Sequence, residues 1–104
     1  MNKIYRQGDV LVVSIKLIPK SAEASKDKGD IILAHGEVTG HAHRIAEQPA
    51  KAALWSANAE RFLQVMETVA LTHEEHSTVT IPPGNYQVVI QTEYSPIELR
   101  KVTD

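Results

Sequence analysis

An all-β domain, either a small antiparallel β-barrel or a two-sheet sandwich of about six to eight short strands with at most one short helix, is the fold class that the sequence predicts. Three observations predict it. Apolar residues alternate with a period of two over Val10 to Ile18, the signature of a half-buried strand. The turn string Pro82-Pro83-Gly84-Asn85 separates two further apolar runs, as a β-hairpin connection would. At 104 residues with 42% hydrophobic content the chain suffices for one modest core, so residues 1–104 are read as a single β domain.

The elements follow in chain order. Arg6-Gln7-Gly8-Asp9 reads as a turn feeding the first long strand, with Asp9 or Gln7 bonding backbone. In that strand Leu11, Val13, Ile15 and Leu17 share one face, opposite Ser14 and Lys16. Pro19 ends it, and residues 19–30, rich in Lys, Ser, Asp and Ala without apolar periodicity, are expected to form an exposed, mobile loop. Ile31 to Leu33 restarts apolar structure. Gly36 and Gly40 then bracket Glu37-Val38-Thr39, which predicts a bend where backbone approaches something closely.

Residues 48–71 fit two periods. Phe62, Leu63, Met66, Val69 and Ala70 have helical spacing, whereas Phe62-Gln64-Met66 and Leu63-Val65 suit a strand; the β-like flanks favour strands. Thr78 to Ile81 and Tyr86 to Thr92 are read as the two arms of a hairpin, with Tyr86, Val88 and Ile90 on one face and Gln87, Val89 and Gln91 on the other. Glu98 to Thr103 reads as a last edge strand.

Composition excludes several functions. Eleven basic against thirteen acidic residues leave a net charge of −2, too little positive charge to bind a phosphate backbone, so nucleic acid is not an expected partner. Without cysteine there is no disulfide, thiolate nucleophile or Cys-type zinc site. No run is long and apolar enough for a signal peptide or membrane span, so no membrane partner and a cytoplasmic location are expected. Neither a nucleophile elbow nor a phosphate loop occurs. A domain this small buries a limited fraction of its surface alone, and a homo-oligomer is expected.

The histidines carry the chemistry. Four of five fall in two groups, His41-Ala42-His43 and His73-Glu74-Glu75-His76. On a strand, residues i and i+2 share a face, so His41 and His43 can aim two imidazoles at one place, with Glu37 on the same parity. If that strand pairs with the segment carrying His73 and His76, four imidazoles can converge. Imidazole with one or two carboxylates suits divalent zinc, iron, nickel or manganese; the expected ligands are His41, His43, His73, His76 and Glu37. Three ligands and an open position would make a catalytic site, four a structural one. The string His-Glu-Glu-His puts its histidines at i and i+3, unlike the i and i+4 of zinc proteases. An isolated histidine is ordinarily a surface residue or a satisfied core residue, and His35 is read so.

Gly36-Glu37-Val38-Thr39-Gly40-His41-Ala42-His43-Arg44 with Leu71-Thr72-His73-Glu74-Glu75-His76, Pro82-Pro83-Gly84-Asn85-Tyr86, Arg6-Gln7-Gly8-Asp9-Val10 and Gln91-Thr92-Glu93-Tyr94 resembles a family of small bacterial and phage-encoded proteins without a settled function. The resemblance spans most of the chain. In addition, His41-x-His43 with Glu47 beyond it resembles the first metal motif of cupins, and Pro82-x-Gly84 the start of their second. That likeness implies a metal inside a small β-barrel. At the position of the cupins' last histidine stands Gln87, so His73 or His76 would have to replace it, and Leu54 stands where the glycine after Glu47 is expected.

Three functions are consistent with these readings. One is a small metal-binding β protein whose ion serves structure or subunit assembly. Another is a cupin-like metal-dependent enzyme acting on a small-molecule ligand, with Glu74 or Glu75 as general base. The third is a metal-free homo-oligomeric assembly protein of phage or bacterial origin.

Overall fold

A computed structural model describes residues 3–26, 29–36, 40–46, 48 and 51–91. Ten strands run through them: β1 (Ile4–Gln7), β2 (Val10–Ile15), β3 (Glu23–Ala24), β4 (Ile31–His35), β5 (Ala42–Ile45), β6 (Ala52–Ala57), β7 (Glu60–Val65), β8 (Val69–Thr72), β9 (Val79–Ile81) and β10 (Gly84–Ile90). They form a six-stranded sheet ordered β1-β2-β10-β7-β6-β3 and a four-stranded sheet ordered β4-β5-β8-β9. All pairings are antiparallel. The fold is a two-sheet sandwich and not a closed barrel, with more strands than expected and no helix among the described residues. Among the described residues no helix is long and apolar enough to cross a membrane.

Each sheet buries one face. Val10, Val12, Leu63, Val65, Tyr86 and Val88 from the larger sheet meet Leu33, Ile45, Val69, Leu71 and Ile81 from the smaller. Burying an aliphatic side chain of this kind contributes about 1.5–3 kcal/mol, and the cluster is continuous between the layers. The helical reading of 48–71 fails here: Phe62 and Leu63 are adjacent on β7 and both buried, Leu63 in the core between the sheets and Phe62 on the opposite face, and adjacent buried apolar residues on a strand imitate a helical repeat.

Three expectations are corrected. In β2 the fully buried face is Val10 and Val12, whereas Leu11, Val13 and Ile15 are half-buried on the outer face and Leu17 is 80% exposed. Both faces of this strand are apolar, so alternation could not choose between them. The segments around Pro82-Pro83-Gly84 do not form a hairpin. β9 pairs with β8, and β10 with β2 and β7, so this turn carries the chain from one sheet to the other. Two successive prolines have no N–H to extend a ladder, and the Tyr86 hydroxyl donates back to the Pro82 carbonyl at 2.6 Å. The faces assigned to Tyr86, Val88 and Gln87 match the observed burial. Within the expected loop 19–30, Glu23–Ala24 forms the edge strand β3 against Trp55 and Ser56; residues 27–28, like the expected strand at 98–103, lie outside the described residues.

Candidate metal centre

The two histidine groups meet because β5 and β8 pair. The registered partners are Ile45↔Leu71 and Arg44↔Thr72, and one step beyond them stand His43 and His73. The chain then turns through His76 before β9, which brings a third imidazole over the same spot. Ring centroids are 4.3 Å apart for His43 and His73, 4.6 Å for His73 and His76, and 5.6 Å for His43 and His76. His43, His73 and His76 each offer a ligand atom within 4.8 Å of the others. His41, His73 and Glu74 form a second set that meets the same limit and shares His73.

His43 is the buried member, 3% exposed, and what holds it is Gln7, 2% exposed. The Gln7 amide donates to the carbonyls of Leu71 and Ser77 at 2.9 and 3.0 Å, which fixes which end of the side chain is NH2. Its oxygen therefore accepts from His43 Nδ1 at 2.8 Å. With the proton on Nδ1, the Nε2 lone pair is left for a ligand, the arrangement by which an outer partner orients a metal-binding imidazole. Burial is the first cause that pushes the His43 pKa below its ordinary value, with His73 and His76 adding to it and Asp9 and Glu74 opposing. The ring is thus kept neutral, as coordination requires.

Gly8, between Gln7 and Asp9, adopts φ +59°, and a Cβ there would come within 2.8 Å of His76 Nε2 and 3.3 Å of His43 Cε1. Gly36 is similar: its added Cβ would lie 3.0 Å from His41 Cβ and 3.1 Å from His73 Nε2. Two turns of backbone press on the imidazoles at the two positions where a side chain has no room. This realises the close approach expected near Gly36, whereas Gly40, at φ +87°, has nothing within 4 Å of its Cβ position among the described residues.

Asp9 was assigned to a turn, yet its Oδ1 lies 3.6 Å from His43 Nε2. Two donors about 2.0–2.2 Å from one tetrahedral ion stand about 3.4 Å apart, so this spacing suits a shared metal. Asp9 belongs to neither compact donor set and sits at the margin, more than half exposed. The only sequence signal for it was its place after a Gly in the turn entering the first long strand. Gln7 does bond backbone, but across to the other sheet and not within its own turn, and it holds His43 as well.

The remaining candidates divide. His41 lies on the edge of the cluster, its ring 5.8 Å from that of His73. Its buried Nδ1 comes within 3.4 Å of Glu75 Oε2 but has no hydrogen-bond partner among the described residues. Glu74 accepts from the Ala42 N–H at 3.0 Å and faces Arg44 at 3.5 Å; chiefly that backbone bond holds its carboxyl below the ordinary carboxylate range. Glu37, expected as a ligand, and Glu47, of the cupin-like motif, lie outside the described residues. Gln87, at the position of the cupins' last histidine, is on the outer face of the larger sheet and donates to Glu60 at 2.8 Å. It takes no part in the cluster. His35 is exposed at the end of β4.

No curated protein and no solved structure matches the chain. A family model described as a domain of unknown function, DUF8820, matches residues 6–91 and so takes in Gln7, Asp9 and all four clustered histidines. The chain therefore belongs to the family of uncharacterised proteins that carry this domain.

Proposed function

We propose that this protein binds one divalent transition-metal ion through His43, His73 and His76, and that the ion ties β5 to the β8–β9 loop, with Asp9 of the β1–β2 turn at its margin. The observation that supports this most is the Gln7–His43 bond, which orients a buried neutral imidazole with its free nitrogen away from Gln7. Three imidazoles with a carboxylate at the margin suit zinc, iron, nickel or manganese.

Uptake has a structural consequence at His73. Its Nδ1 accepts the Glu75 N–H at 3.0 Å, so the neutral ring carries its proton on Nε2. Coordination through Nδ1 uses the lone pair that Glu75 occupies, and coordination through Nε2 moves the proton to Nδ1. Either way the Glu75 N–H bond is given up, and the loop refits around the ion.

A catalytic role is the second reading, favoured by exposure: His76 is at the surface and Asp9 is more than half exposed. Three protein ligands with a solvent-facing fourth position would lower the pKa of a bound water, with Asp9 placed as its base. Equilibrium dialysis of metal-stripped protein against zinc, followed by elemental analysis, tests the binding. One ion per chain in the wild type and its loss in a His43→Asn/His76→Asn variant is the expected result. Unchanged uptake by that variant, or none by the wild type, overturns it.

A further inference from the structure

A second polar group spans the layers away from the imidazoles. Arg61 on β7 reaches from the larger sheet to the smaller, where its guanidinium donates to the carbonyls of Ile32, at 3.3 Å, and Leu33. A guanidinium has five N–H donors, and these two bonds use two of them. None of the ion pairs among the described residues includes Arg61, so its charge is held between two sheets without a carboxylate from them.

Beside it opens a cavity of about 590 Å3, within the size range of small-molecule sites. Its walls include Leu33, Leu54 and Ile90, with Arg61, His35, Ser25 and Ser56 as polar lining. Such a wall takes an apolar body, and a half-buried guanidinium with donors to spare takes a planar anion, bound by two parallel hydrogen bonds at best. Backbone carbonyls repel an anion but hold the guanidinium in place, so its position is set before any ligand arrives.

We propose that this cavity binds a small organic carboxylate, the apolar body against Leu54 and Ile90 and the carboxylate on Arg61. The site stands on residues outside the imidazole cluster, and does not depend on whether that cluster holds metal. A strut role for Arg61 alone, linking the sheets through two carbonyls, is the competing account.

Isothermal titration calorimetry reads occupancy directly. Benzoate and hexanoate are titrated into chelator-treated protein, with benzamide as the uncharged match for benzoate. Saturable changes with both carboxylates, about tenfold or more weaker binding of benzamide, and a similar loss of benzoate affinity in Arg61→Gln are expected. Ser56→Phe, an exposed position at the cavity that leaves Arg61 in place, is expected to block binding, and it decides the matter if Arg61→Gln does not fold. No saturable response to either carboxylate, equal affinity for benzoate and benzamide, or undiminished binding in Ser56→Phe overturns the proposal.

Discussion

His43 and Arg61 are both polar side chains held between the same two sheets, and they are held by different means. His43 is bonded by a side chain, Gln7, that is itself bonded to two carbonyls. Arg61 is bonded by carbonyls directly. A chain of side-chain bonds dictates a tautomer, and so decides which nitrogen is free. Carbonyls fix only where a charge sits. Burial pushes the pKa of both groups down, with different results: an imidazole becomes reliably neutral near pH 7, whereas a guanidinium stays charged there.

The comparison breaks most visibly at Gln7. Gln7→Ala leaves the His43 N–H and the carbonyls of Leu71 and Ser77 without their partner, and unfolding in denaturant is expected to show a loss of about 2–4 kcal/mol. Arg61→Met removes a group that serves two carbonyls, and a loss of about 1–3 kcal/mol is expected by the same assay. Gly8→Ala forces a side chain onto a backbone at φ +59° and against His76. About 1–2 kcal/mol of destabilisation is expected, together with weaker zinc binding than in Arg61→Met.

Acid sharpens the contrast. Since the fold holds His43 below its ordinary 6.5, the unfolded chain takes up a proton there that the folded chain refuses, so its contribution is complete above 6.5 and is lost as pH falls through and below that value. Glu74, held below its ordinary 4.5, gives a second loss only below 4.5. In chelator-treated protein, thermal unfolding between pH 8 and pH 5 is expected to fall for the wild type and for Arg61→Met. It is expected to stay flatter for His43→Asn, whose amide can still donate to Gln7. The smallest effect is Glu75→Gln: the carboxylate is exposed and not aligned on His41, so stability is expected to change by no more than about 0.5 kcal/mol.

Much of the site was legible because metal-ligand chemistry is restricted to few residue types and the histidines cluster in sequence. Pairing of β5 with β8 supplied the convergence that spacing alone left open. Gln7 and Asp9 were harder to see. Their roles depend on the β1–β2 turn of one sheet arriving over the edge of the other, a long-range contact with no local pattern. The same limit explains the crossover at Pro82-Pro83-Gly84: two apolar runs around a turn look alike whether the second rejoins its neighbour or changes sheet. In β2, apolar residues on both faces hid the buried one. Arg61 gave no signal at all, since an arginine in a strand is ordinarily an exposed one.

The most direct test of the shared metal is the 15N imidazole spectrum of the protein, recorded before and after one equivalent of zinc. The account predicts His43 protonated at Nδ1 throughout and His73 protonated at Nε2 before zinc. On addition, nitrogen signals of His43, His73 and His76 should shift together while those of His35 stay in place. Zinc that moves no signal of His43, or a His43 protonated at Nε2 in the metal-free protein, would contradict it.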